Sequence, residues 1–219
     1  MSQASLILAS SSPRRRELLA SLGLTFSILP ADLDETILPG EEPGPMTLRL
    51  AQAKATLLAS QQPAAYVIGA DSTVALGQAA LGKPHHAATA AAMLRSLRGS
   101  THQVITSVSV TRAGVYQASE MVSTTVLMRE YDEAEIAAYI AGGDPFDKAG
   151  AYAIQHQGFR PVASIEGCYS NVMGLPLCVV YSALLAVGFS PDRCALRLCS
   201  SYANTCPRAS LLLQGSNCG

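Results

Sequence analysis

The chain has 219 residues, enough for one large domain or two small ones, and 49% of them are hydrophobic, so a sizeable core can form. With 15 Lys and Arg against 16 Asp and Glu, the formal net charge of −1 supplies no global field for nucleic acid or an anionic membrane, and any anion site must be local. The longest apolar runs, such as PLCVVYSALLAVGF, are too short and interrupted to span a bilayer, and the N-terminus runs apolar first and basic second, the reverse of a secretory leader; a cytoplasmic protein without a membrane partner is expected.

In chain order, SLILA reads as a strand that passes through the small-residue loop SSS into a helix. Ser12 suits its N-cap and Pro13 its first position; Leu18, Leu19 and Leu22 share one face, and Gly23 falls where a C′ residue belongs. FSILPADLDET reads as a strand leading into a loop, and PMTLRLAQAKATLLASQ as a second helix. AAYVIGADSTVAL alternates as a strand, with Ile68, Ala70, Val74 and Leu76 on one face. A helix over AATAAAMLRSLRG stops at Gly99, and strands HQVITSVSV and EMVSTTVLM follow, with AGVYQAS near the turn between them. Asp132 and Glu135 form a capping box for a helix that ends at Gly142–Gly143. Strands around GAYAI and PVASIE lead to a last helix begun by Pro176 and stopped by Gly188. The α and β segments intermingle without strict βαβ alternation, which predicts an α/β protein with a mixed, strongly bent sheet.

Several charges stand where the local pattern does not want them. Arg14, Arg15 and Arg16 fill the first turn of a helix, where each exposed cation costs about 0.3–1 kcal/mol against the macrodipole. A strand, a serine loop and a helix N-terminus together form a geometry that holds phosphate, so the partner of these cations is expected to be a polyanion. Lys54 falls on the apolar stripe of its helix between Leu50, Leu57 and Leu58, either snorkelling outward or serving a site. Asp71 interrupts a strand on the face it shares with Gly69 and Thr73, and a half-buried carboxylate beside a cleft can serve as a general base or metal ligand. Glu35, taken alone, is an ordinary loop acid.

Familiar nucleotide motifs fail. GQAALGKP satisfies most of a P-loop, but Pro84 has neither the hydroxyl that ligates Mg²⁺ nor an N–H to cradle phosphate. No G-x-G-x-x-G follows the first strand. Cys168 and Cys178 lie in the body and Cys194, Cys199, Cys206 and Cys218 near the end, with no zinc spacing, so free thiols are expected. Beyond Pro191 periodicity disappears. The chain is therefore divided into a domain over 1–191 and a tail over 192–219, expected to be poorly ordered.

The stretches LILASSSPRRRELL, RLAQAKA, VIGADSTV, LGKP, DKAGAYAIQ and YSNVMGLPL stand in the order and spacing of the Maf-like nucleoside triphosphate pyrophosphatases, a resemblance that covers about residues 5–188. It implies a two-lobed Maf/ITPase-like α/β fold with a bent mixed sheet and a central cleft, a homodimer, and a need for Mg²⁺ or Mn²⁺. It also implies hydrolysis of a nucleoside triphosphate to the monophosphate and pyrophosphate. The serine turn (Ser10, Ser12) with Arg14 and Arg15 resembles the family's phosphate-binding loop, and Lys54 and Lys83 match its two buried lysines. Asp71 matches the proton-accepting acid, Glu35 an acid near the metal, and Gln155 the position that accompanies pyrimidine selection. Ser72, a substrate-side position, stands where the pyrimidine subgroup usually has Thr, keeping the hydroxyl and losing a methyl. The resemblance thus implies dTTP and UTP, or modified pyrimidine triphosphates, as substrates. The rival function is a nucleotide-binding regulator of cell division or septum formation that does not cleave its ligand.

Overall fold

The computed structural model describes residues 5–113 and 115–192. The elements are β1 (Leu6–Leu8), α1 (Pro13–Ala20), β2 (Ser27–Ile28), α2 (Pro43–Gln61), β3 (Tyr66–Leu76), β4 (Ala79–Leu81), α3 (Ala87–Leu97), β5 (Thr101–Arg112), β6 (Val115–Met128), α4 (Glu133–Ala141), β7 (Val162–Glu166), α5 (Tyr169–Val172) and α6 (Leu177–Ala186). The strands form one seven-stranded sheet in the order β2-β1-β3-β5-β6-β7, with β4 also on β3. β1 runs parallel to both neighbours and every other pairing is antiparallel, so the sheet is mixed.

Local chemistry explains the ends of the elements. Ser12 caps α1 by accepting from the Arg15 amide at 3.4 Å, Pro13 opens the helix, and Gly23 reverses the chain at φ +77. The Asp132 and Glu135 side chains and backbone amides exchange hydrogen bonds as a capping box on α4.

β3, β5 and β6 have 11, 12 and 14 residues, long enough to serve two cores on one face. At one end Ile68, Ala70, Val108 and Val110 pack with Leu19 and Leu22 beyond the serine turn and with Leu177, Val180 and Leu184 of α6. At the other end Val74, Val104 and Val126 pack with Leu94 and Leu97 of α3, Ile136 and Tyr139 of α4, and Tyr152 and Phe159. The opposite face of β3 carries α2, where Ala55, Leu58 and Ala59 meet Ile7 and Val67. Ser72 and Thr106 therefore sit between two apolar lobes, and the cleft opens at this seam.

The structure departs from the expectations in three places. No strand forms over GAYAI: 3-10 turns occupy Asp144–Asp147 and Ala149–Ala151, and Gly150 and Ala151 both have positive φ (69° and 63°). Consecutive burial of Ala151, Tyr152 and Ala153 replaces alternation there. AGVYQAS lies near the turn as expected, but β6 already starts at Val115, earlier than EMVSTTVLM alone suggests. β4 and the single turn of α5 carried no strong periodic signal. The expected tail, 192–219, lies outside the described residues apart from Asp192, which packs against Gly23. The four distal cysteines lie outside them too, whereas Cys168 and Cys178 are buried.

Candidate active site

The seam between the lobes widens into a cleft of about 580 Å³, within the usual size range of small-molecule sites. It is lined by the serine turn, the middle of β3, Glu35, Lys54, Lys83 and the Asp147–Gln155 segment.

Its floor is made by α2 lying directly on β3. A Cβ on Gly69 would overlap the Ala51 carbonyl oxygen and fall 2.8 Å from the Ala55 nitrogen, so only glycine admits the helix this close. Ala51 and Ala55 are fully buried in this contact, and Lys54, next to Ala55 on the helix, extends to Asp71 two residues along the strand. Lys54 Nζ donates to Asp71 Oδ1 at 2.6 Å and pairs with Glu35 Oε1 at 2.7 Å. The helix-stripe lysine thus bridges the two acids instead of snorkelling. Lys54 and Asp71 are buried, 6% and 8% exposed, whereas the Glu35 side chain is half exposed.

Burial raises the Asp71 carboxyl above the ordinary carboxylate range; Lys54 and Arg15 oppose this and Glu35 adds to it. For Glu35 burial also acts upward, but the hydrogen bond and charge of Lys54, with Lys83 and Arg15, outweigh it and hold the group below its usual value. The two acids are therefore pushed apart, one toward proton acceptance and one toward permanent charge. Among the described residues Asp71 Oδ2 has no hydrogen-bond partner, and it is the oxygen left for a proton.

The arginines divide. Arg14 reaches across the cleft mouth, its Nη1 3.0 Å from Asp147 Oδ2. Asp147 Oδ1 also takes Lys148 Nζ at 2.6 Å, and Lys148 is buried against Asp144 as well. Arg15 turns inward to the carbonyl oxygens of Ala70 and Gly174, both at 2.8 Å, and to Ser72 Oγ at 2.9 Å. The Ser10 and Ser12 hydroxyls shape the turn, accepting from the Ser12 and Arg15 amides. Arg16 points to solvent.

Lys83 lies between β4 and α3 and lines the cleft, but it is exposed, which corrects the expectation of a second buried lysine: the short β4 edge leaves it uncovered. Gln155 is also exposed, on a turn at the cleft edge rather than at a strand end.

The chemistry available is that of oxygens and cations. Among the described residues no group of three His, Cys, Asp or Glu side chains converges as a metal cage. Asp71 and Glu35 nevertheless fit a hard divalent cation of the Mg²⁺ type, which takes one or two carboxylates and completes its shell with water and substrate phosphates.

Sequence reasoning missed Gly69 as a contact and Arg15 as an inward group, although both left signals. An isolated glycine in a strand marks close backbone approach. Arg15 precedes Leu18, Leu19 and Leu22 by three, four and seven residues, which places it on the buried stripe of α1.

Comparison with known proteins follows the same residues. The profile of the Maf-like protein family matches residues 5–187. A dTTP/UTP pyrophosphatase of Myxococcus xanthus is 50% identical over 175 residues, covering 80% of this chain and 88% of that one. Another from Thermomicrobium roseum is 45% identical over 206 residues, covering 93% and 94%. A solved nucleoside-triphosphatase (dITP/XTP pyrophosphatase) from Mycobacterium abscessus overlaps 57% of this chain and 72% of its own, with a TM-score of 0.36 and 12% identity, too little to bear on the fold. With a match that runs from the first strand through the last helix, the chain belongs to the Maf-like protein family.

Proposed function

We propose that this chain hydrolyses dTTP and UTP, or their modified pyrimidine forms, to the monophosphate and pyrophosphate. The carrying observation is Asp71: a buried carboxylate tied to Lys54 through one oxygen, with the other unpartnered among the described residues, in a cleft ringed by cations. The substrate named for both relatives supports the choice of nucleotide.

Arg14 and Lys83 spread over the triphosphate oxygens, beside the N-terminal end of α1 and its positive dipole. Arg14 exchanges Asp147 for phosphate, and the local repulsion at the helix start is relieved. Asp71 Oδ2 orients a water and accepts its proton as the water oxygen attacks the α-phosphorus. The bond from that phosphorus to the α–β bridging oxygen breaks, and pyrophosphate leaves with the electron pair. Lys54 keeps Asp71 and Glu35 apart in charge and fixed in place, so the rate comes mostly from positioning and charge neutralisation. Mg²⁺ or Mn²⁺ on Asp71 and Glu35 would supply further neutralisation of the phosphate oxygens.

The proposal extends to a cytoplasmic homodimer, in keeping with the family; no helix of the described residues is long and apolar enough to cross a membrane. A regulator that binds without cleaving has no use for a proton acceptor held in this way. The test is a panel of triphosphates with purified protein and Mg²⁺. Pyrophosphate should appear from dTTP and UTP well ahead of purine nucleotides, and EDTA should abolish it. Release of orthophosphate, or activity indifferent to EDTA, would refute the proposal.

A further inference from the structure

Arg15 shares the first turn of α1 with Arg14, yet its surroundings differ in kind. Nε donates to Gly174 O at 2.8 Å, Nη1 to Ala70 O at 2.8 Å and to Ser10 Oγ at 3.4 Å, and Nη2 to Ser72 Oγ at 2.9 Å. Four of the five guanidinium N–H groups are thereby committed, all to neutral acceptors. Those acceptors lie on three separate segments: the serine turn, β3 on both sides of Asp71, and the turn after α5. The Gly174 turn has a φ of +106, which favours glycine, and it brings the Gly174 carbonyl to Arg15 Nε.

The bonds continue beyond Ser72. Its hydroxyl lies 2.8 Å from Thr106 Oγ1, and Thr106 donates to Asn171 O at 3.1 Å. Because the Thr106 proton is used there, Ser72 must donate to Thr106 while accepting from Arg15. One directed chain therefore runs Arg15, Ser72, Thr106, Asn171 across the seam between the lobes, and such chains strengthen one another. A phosphate that captured Arg15 would strip the Ala70 and Gly174 carbonyls and Ser72 of their donor. Capture of Arg14 strips only the half-exposed Asp147.

We propose that Arg15 is a positioning residue, not a phosphate ligand: it clamps both β3 neighbours of Asp71 to the serine turn and the Gly174 turn, and leaves the triphosphate to Arg14 and Lys83. The inference rests on the reading of Asp71 as the proton acceptor.

Arg15→Lys keeps the charge and removes the fork. Two quantities separate the roles: the affinity for a non-hydrolysable α,β-imido dTTP analogue, and kcat at saturating dTTP. Arg15→Lys should bind the analogue within about twofold of wild type while kcat falls at least about tenfold, since misplacing a reacting group by an ångström is felt in the chemical step. Arg14→Ala should show the opposite split, losing about tenfold in affinity. A tenfold loss of affinity in folded Arg15→Lys with kcat retained would make Arg15 a ligand and overturn the proposal, and so would no change in either quantity. If circular dichroism shows Arg15→Lys to be unfolded, Ser72→Ala, which removes one anchor, should lower kcat with affinity kept; unchanged kcat there would overturn it equally. Wild type that binds the analogue but releases no pyrophosphate would refute the hydrolase proposal, and analogue affinity alone would then decide whether Arg15 is a ligand.

Discussion

On one wall of the cleft α2 lies against β3 at Gly69, with Ala51 and Ala55 in the contact, and a buried lysine joins two acids. On the other wall two 3-10 turns and an irregular run carry Asp147, Lys148 and Gln155, and the ion pair that faces the opening is partly exposed, Asp147 by 56% and Arg14 by 20%. An exposed pair of this sort is worth about 0–1 kcal/mol, whereas removing one partner from a buried pair costs about 3–5 kcal/mol. The difference separates two tasks. The Asp71 wall holds reacting groups in one geometry through main-chain contact, and the Asp147 wall can exchange its contacts for a ligand at small cost.

Perturbing each wall should therefore have a different signature. The larger effect is expected at Gly69. In Gly69→Ala the new methyl meets main-chain atoms of α2, the Ala51 oxygen and the Ala55 nitrogen, so the helix must move. Overpacking of this kind costs about 1–3 kcal/mol, to be read as a lower midpoint in urea unfolding, and it should pull Lys54 off Asp71 and depress kcat as well. If Gly69→Ala kept both stability and kcat, the close contact would not be what sets the site.

The smaller effect is expected at Gln155, on the exchangeable wall. A carboxamide offers donors and an acceptor that match N3–H and a carbonyl of uracil or thymine, and Gln155→Glu removes the donors. The loss in kcat/KM for dTTP and UTP should be about 0.5–1.5 kcal/mol, the net worth of an ordinary hydrogen bond, with stability and the slow hydrolysis of purine nucleotides unchanged. An equal loss for every base would show that Gln155 supports the turn instead of reading the base.

The same contrast decides what the sequence could reveal. VIGADSTV is legible because alternation, a glycine and a misplaced carboxylate coincide within one regular strand, and Lys54 is conspicuous on an apolar stripe. GAYAI misleads because its apolar residues suggest a strand, while Gly150 and Ala151 take left-handed backbone and bury their neighbours against the lobe formed by α3 and α4. Adjacent, chemically identical Arg14 and Arg15 differ only by a 100° rotation about the helix axis, so their separate fates depend on which face of α1 packs against β3. The exposure of Lys83 depends on the length of the β4 edge, which no motif encodes.

Turnover by Asp71→Asn is the most direct measurement of the proposed chemistry. The amide keeps the shape of the carboxylate and removes its ability to accept a proton, a function worth about 10²–10⁴ in rate. With dTTP and Mg²⁺, Asp71→Asn should lose pyrophosphate release by about that factor while still binding the α,β-imido analogue. Pyrophosphate release at the wild-type rate by a folded Asp71→Asn protein would contradict the assignment of Asp71 as the proton acceptor.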